Sequence, residues 1–232
     1  MVIGDQVTAV VRRFLEPKPA APTEQETVEA FHKLWYDLQG RVKWLGTRTL
    51  KCPLDLWVYQ EILFEKRPDL IIELGTNRGG TTSYLAAICD LIDAGRIITV
   101  DWLEPEGRPP HPRVTYLQGD SVAPEMLAGI TEAIRPDDTV MAILDSNHAQ
   151  SHVAKELSRY APLVTPGQYL IVEDTNLNGH PVRRDFGPGP MEAVEEFLET
   201  ELGRDFAPDK EREKFLMTLN PNGYLLRQGA GP

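Results

Sequence analysis

The chain has 232 residues, 41% of them hydrophobic, which is enough to bury the core of one ordinary domain without disulfides or a structural metal. A formal net charge of −11, with no run of Lys or Arg, leaves no basic stripe for the phosphates of a nucleic acid. No apolar run approaches the ~18 residues that crossing a bilayer requires, and the opening MVIGDQVTAVVRRFLEP lacks the build of an export signal, so neither nucleic acid nor membrane is expected as a partner.

A short helix is expected over about residues 4–15, then the linker PKPAAPTE, then an amphipathic helix in EQETVEAFHKLWYDLQ. Together residues 1–50 read as a helical arm before the main domain, 51–232. Val28, Phe31, Leu34, Trp35 and Leu38 form an apolar face on that arm with no core of its own nearby. This points to a homo-oligomer, the alternative being a helix folded back on its own domain. Pro53 opens a third helix that Pro68 ends. Cys52 and Cys89 stand outside any Cys-x-x-Cys spacing, and Cys89 lies in the apolar AAICDLI, so a reducing, cytoplasmic setting is expected.

Strands are predicted at 69–74, 96–101, 113–118, 139–144 and 168–173, separated by helices near 80–93, 122–134 and 149–161. Several of these strands are continuous apolar runs, as strands buried on both faces are. The alternation gives an α/β fold built on a parallel, doubly wound, Rossmann-like sheet. A further helix starts at Met191. The runs EKFLMTL and GYLLRQ, joined at Asn220-Pro221-Asn222, suggest a closing hairpin whose last strand is antiparallel.

The first strand runs into IIELGTNRGG. A loop built for pyrophosphate avoids an acid, yet Glu73 precedes Gly75, and Gly79 and Gly80 follow. An acid there favours a cationic ligand, and S-adenosylmethionine carries an ammonium and a sulfonium. The next strand ends in Asp101, where a carboxylate can accept both ribose hydroxyls. Asp120 and its neighbour Ser121 fall after the third strand, within reach of an adenine edge. Glu73, Gly75, Asn77, Gly79, Gly80, Asp101, Asp120 and Ser121 are therefore the candidate cofactor-binding residues.

The fourth strand ends ILDSNH and the fifth IVEDT, which brings Asp145, Glu173 and Asp174 to adjacent strand ends. Converging carboxylates repel unless a cation intervenes, and a hard divalent ion such as Mg²⁺ suits oxygen ligands. Such an ion activates a substrate hydroxyl and aligns it with a methyl donor. His148, with Asp145 nearby, is the candidate general base, histidine being the side-chain type that exchanges a proton near neutrality. Asp145, His148 and His152 alternatively form the kind of mixed site that holds iron in a hydroxylase. A third reading is a non-catalytic partner subunit that keeps the fold as a scaffold. The long polar segment NLNGHPVRRDFGPGP lies over the strand ends, where a substrate would enter.

LGTRTLKCPLDLWVYQEIL, IIELGTNRGGTTSYLAAI, ILDSNH, APLVTPGQYLIVEDT and DFGPGPMEAVEEFL, in that order, resemble the cephalosporin hydroxylase family over roughly residues 35–228. The resemblance implies a class I S-adenosylmethionine-dependent methyltransferase fold and O-methylation of a hydroxyl on a sugar or antibiotic intermediate. It also implies Mg²⁺ at Asp145, Glu173 and Asp174, cofactor contacts from Glu73, Gly75 and Asp101, and oligomers in which the arm packs on a neighbour.

Overall fold

A computed structural model of the chain describes residues 21–103 and 106–229. The helix expected over residues 4–15 lies outside them. Helix α1 (Glu24–Leu38) begins at a capping box in which Thr23 and Glu26 satisfy each other's backbone amides. A two-residue hairpin follows, β1 (Lys43–Trp44) and β2 (Thr47–Arg48), turned by Leu45 and Gly46, both with positive φ. Helix α2 (Pro53–Lys66) has proline in its first turn and ends at Arg67 in the left-handed conformation.

The main sheet then alternates with helices: β3 (Leu70–Leu74), α3 (Gly80–Ile92), β4 (Arg96–Asp101), β5 (Val114–Gln118), α4 (Pro124–Ala133), β6 (Val140–Leu144), α5 (Gln150–Tyr160), β7 (Tyr169–Val172), α6 (Pro190–Leu198), β8 (Phe206–Pro208) and β9 (Tyr224–Arg227). The strand order is β5-β4-β3-β6-β7-β9-β8, with β9 antiparallel to both β7 and β8 and the other pairings parallel. This is the mostly parallel, doubly wound sheet with antiparallel closing strands that the apolar runs predict. Among the described residues no helix is long and apolar enough to cross a membrane.

Side-chain alternation divides the core. Leu70, Ile72, Leu74, Ala142, Leu144, Leu170 and Val172 pack against α5 and α6 on one face. Ile71, Met141, Ile143, Tyr169 and Ile171 pack on the other face against α2 and α3, where Tyr59, Ile62 and Leu85 meet them. The odd-numbered residue that continues each of these strands therefore heads toward the α2 side.

One expectation for the carboxyl-terminal region needs correction. The stretch 213–219, expected as a strand, is not one, and β9 pairs instead with Phe206–Pro208. Thr218 Oγ1 (2.5 Å) and the Leu219 amide (2.9 Å) donate to the buried Asp55 on α2, and Leu216 turns the chain at positive φ. The polar groups of that stretch are thus satisfied by a helix side chain rather than by a ladder.

Helix α1 folds back on its own domain along part of its apolar face. Val28 and Trp35 pack on Cys52, Met217 and Leu219, while Phe31, Leu34 and Leu38 stay exposed at 51%, 67% and 40%. Its buried His32 receives the Asn176 side-chain amide at 2.8 Å, tying the arm to the loop after β7.

Candidate active site

The carboxyl ends of β3 to β7 open into one cavity of about 770 Å³. It lies where ligands of open α/β sheets bind, outside the strand ends beside the central strand. Gly75, at φ 105°, leaves β3 level with the end of β6; a Cβ there would meet the Asp145 carbonyl oxygen at 1.8 Å. Only glycine allows the two strand ends to run that close.

Gly75, Asn77, Asp101, Asp120 and Ser121 all line the cavity. Asp101 accepts the Asn77 amide at 2.6 Å and the Leu103 amide at 2.8 Å, one on each oxygen. Each oxygen keeps a second lone pair, so the carboxylate can still take a pair of vicinal hydroxyls.

Glu73, Gly79 and Gly80 are not on the cavity wall. Glu73 is 1% exposed, and its Oε2 accepts from Thr82 Oγ1 at 2.5 Å and Thr99 Oγ1 at 2.6 Å. Burial pushes its carboxyl up to about 7 against those two hydrogen bonds. It braces α3 and β4 beneath the floor of the cavity. A Cβ on Gly80 would strike Thr49 Oγ1 at 2.2 Å and the Arg48 carbonyl, so this glycine admits the β1–β2 hairpin to the start of α3. A Cβ on Gly79 would face Tyr116 and Pro109 rather than the cavity.

Of the three carboxylates expected as metal ligands, Asp145 and Asp174 line the cavity and Glu173 does not. Asp145, His148 and Asp174 each offer a ligand atom, all within 4.8 Å of one another, on the cavity wall. His148 Nε2 lies 3.1 Å from Asp174 Oδ2. Glu173, expected beside them, continues the Tyr169–Ile171 face and is 2% exposed. Its Oε1 accepts from Tyr59 at 2.6 Å, and its Oε2 contacts the ammonium of Lys51, which also contacts Asp145 Oδ2. Asp174, at φ 54°, turns the chain to the cavity side.

Burial raises the carboxyls of Asp145, Glu173 and Asp174 above the usual carboxylate range, with Lys51 opposing the shift at all three. For Lys51, burial disfavours the charge, but Asp145 and Glu173 outweigh it and the net shift is upward, so the ammonium stays protonated.

His152 does not join Asp145 and His148. Its Nε2 lies at 3.1 Å from Ser121 Oγ, 3.3 Å from Ser146 Oγ and 3.2 Å from Glu156 Oε1. The ligand set of the iron reading is therefore not assembled. Sequence reasoning missed Lys51 and Tyr59, and also Tyr36 and Arg48, which bring α1 and the hairpin to the cavity mouth.

The profile of the family described as Rhamnosyl O-methyltransferase/CmcI matches residues 35–228. The chain belongs to this family. A Rhamnosyl O-methyltransferase of Mycobacterium bovis is 40% identical over 211 residues, 86% of this chain and 84% of that protein. That of Mycobacterium leprae is 38% identical over 220 residues, 89% and 93% of the two chains. Among solved structures, CmcI in an apo form superposes with a TM-score of 0.64 at 24% identity, covering 93% of this chain and 88% of its own. The O-methyltransferase TomG of Streptomyces achromogenes, with SAM, gives 0.52 at 18% identity over 99% and 100%. CmcI has also been solved with Mg and SAM, at TM-score 0.60 and 21% identity, over 95% of this chain and 84% of its own. At these identities the structures establish the fold, which is that of the class I methyltransferases.

Proposed function

We propose that the protein is an S-adenosylmethionine-dependent O-methyltransferase that uses a divalent ion such as Mg²⁺ and acts on a hydroxyl of a sugar-bearing small molecule. The observation that carries this is the convergence of Asp145, His148 and Asp174 on the cavity that Asp101, Asp120 and Ser121 also line. Kinship at 40% identity with a rhamnosyl O-methyltransferase supports the sugar hydroxyl as acceptor.

The residues present fit both groups. The unshared lone pairs of Asp101 suit two ribose hydroxyls, and Asp120 with Ser121 suits an adenine edge. Paired carboxylate oxygens are the donor set that Mg²⁺ prefers. S-adenosylmethionine supplies an electrophilic methyl on sulfonium, and a divalent ion at Asp145 and Asp174 supplies a lowered pKa and a fixed direction for the acceptor hydroxyl. As the methyl passes to the hydroxyl oxygen, His148 Nε2 takes the proton. Asp174, 3.1 Å away, orients the imidazole and stabilises the imidazolium.

Residues 1–50 act as lid and assembly arm, and 51–232 as the methyltransferase domain. Tyr36, Arg48 and Leu50 line the cavity mouth, and the exposed Phe31, Leu34 and Leu38 are the surface for a second copy. The setting is cytoplasmic, in keeping with two buried, unpaired cysteines. Calorimetry tests the reading: S-adenosylmethionine should bind and NAD should not, and the reverse result would overturn it.

A further inference from the structure

Lys51 stands in the last stretch of chain before α2, next to the buried Cys52, and its side chain is 2% exposed. Lysine is almost never buried so completely without a partner. Here one ammonium touches two carboxylates from neighbouring strands, Asp145 after β6 and Glu173 after β7. It is not on the cavity wall, so it reaches neither acceptor nor methyl donor. The Tyr59 hydroxyl, one helical turn or more along α2, holds the other oxygen of Glu173 at 2.6 Å. Helix α2 and the turn leading into it thus bring two donors, Tyr59 and Lys51, to the underside of the carboxylate cluster, on the face to which Asp145 and Glu173 both project.

We infer that Lys51 is the site's own counter-cation: it holds Asp145 and Glu173 in position before any divalent ion arrives, and it sets how tightly that ion binds. With all groups ionised, three carboxylates (Asp145, Glu173, Asp174) and one ammonium leave two net negative charges, the number that a divalent ion neutralises. Without Lys51, two strand ends carry a buried, uncompensated repulsion, and the fold comes to depend on the ion. With it, the sheet closes unaided, and the ion adds to a preformed pair of oxygens while sharing Asp145 with the ammonium. The ion therefore binds more weakly than three carboxylates alone would hold it. The effect on folding stands on the contacts of Lys51 alone, whereas the effect on ion affinity rests on the metal-assisted reading above.

The test uses the full chain as wild type, K51M, K51R and the double variant K51M/E173Q. Thermal unfolding is followed in EDTA and in millimolar Mg²⁺, and Mg²⁺ affinity is measured by calorimetry. The wild type should lose no more than about 4 °C on going from Mg²⁺ to EDTA, the shift that mass action alone gives. K51M should lose roughly 10 °C in EDTA and regain most of it in Mg²⁺, with Mg²⁺ bound at least about tenfold more tightly. K51R should behave as wild type, and K51M/E173Q should recover stability in EDTA because the unpaired acid is gone. If K51M does not fold in EDTA, refolding in Mg²⁺ and the double variant carry the same comparison. A K51M protein as stable as wild type in EDTA, or one rescued by neither Mg²⁺ nor E173Q, would overturn the inference. Failure of the wild type to bind S-adenosylmethionine would instead sink the methyltransferase reading and leave the EDTA comparison intact.

Discussion

The Nε2 of His148 stands 3.1 Å from Oδ2 of Asp174, joining a residue of the β6–α5 loop to the turn that ends β7. A histidine held by a carboxylate at the mouth of a cofactor cavity is equipped to take a proton from an acceptor and keep it. His148→Gln should therefore lower the rate of methyl transfer by roughly 10²–10⁴-fold while leaving S-adenosylmethionine affinity unchanged. Single-turnover kinetics beside calorimetry separates the two; a variant that transfers at the wild-type rate removes His148 as the base.

Asp101 holds its own loop by accepting the amides of Asn77 and Leu103, and the proposed function gives it the ribose hydroxyls as well. Asp101→Asn keeps the shape but removes the charge from its hydrogen bonds. The loss expected in S-adenosylmethionine binding is about 1.5–3 kcal/mol, roughly a 10- to 150-fold rise in Kd by calorimetry. Unchanged affinity would mean that the ribose lies elsewhere.

Gly75 permits β3 and β6 to end side by side, and any Cβ would overlap the Asp145 carbonyl. Gly75→Ala should destabilise the fold by more than about 2 kcal/mol and disturb Asp145 at the same time. Chemical denaturation measures the first effect, and metal-dependent turnover the second. A G75A protein of wild-type stability would contradict the close approach.

Burial lifts Glu73 from the ordinary 4.5 to about 7, so the folded state holds that proton more tightly than the unfolded chain. Its contribution to stability is full below about pH 4.5 and is lost as pH rises through about 7, a difference on the order of 3 kcal/mol. Glu73→Gln lacks this proton, so the stability difference between wild type and variant should change across that window and stay level above it. Denaturation at several pH values reads the trend, and parallel curves would refute it.

How much of this the amino-acid sequence discloses depends on the range of the signal. Strands such as Leu70–Leu74 and Val140–Leu144 are legible because burial on both faces leaves unbroken apolar runs. Asp101, Asp145 and Asp174 are legible because each closes such a run and so must stand at the ligand edge of the sheet. Lys51 is not, since its carboxylate partners lie 94 and 122 positions away and nothing local distinguishes a buried lysine from a solvated one. The inward turn of Glu173 was latent in strand parity: it follows Tyr169 and Ile171 on one face, and Asp174 must leave by the other. Gly80 is ambiguous because a glycine needed for helix–hairpin contact looks, in sequence, like one needed for a ligand. The strand 206–208 escapes notice because three residues are too few to show a period.

The most direct test joins the ion to the chemistry. Purified protein is incubated with S-adenosylmethionine and a rhamnosylated acceptor, in Mg²⁺ or in excess EDTA, with products followed by mass spectrometry and cofactor binding by calorimetry. Asp145 and Asp174 share the cluster with His148, whereas Asp101 and Asp120 lie on other strands, so binding and transfer should separate. The predicted result is a gain of one methyl group in Mg²⁺ and none in EDTA, with S-adenosylmethionine bound in both. Full methyl transfer in EDTA, or a gain of one oxygen in place of a methyl group, would contradict it.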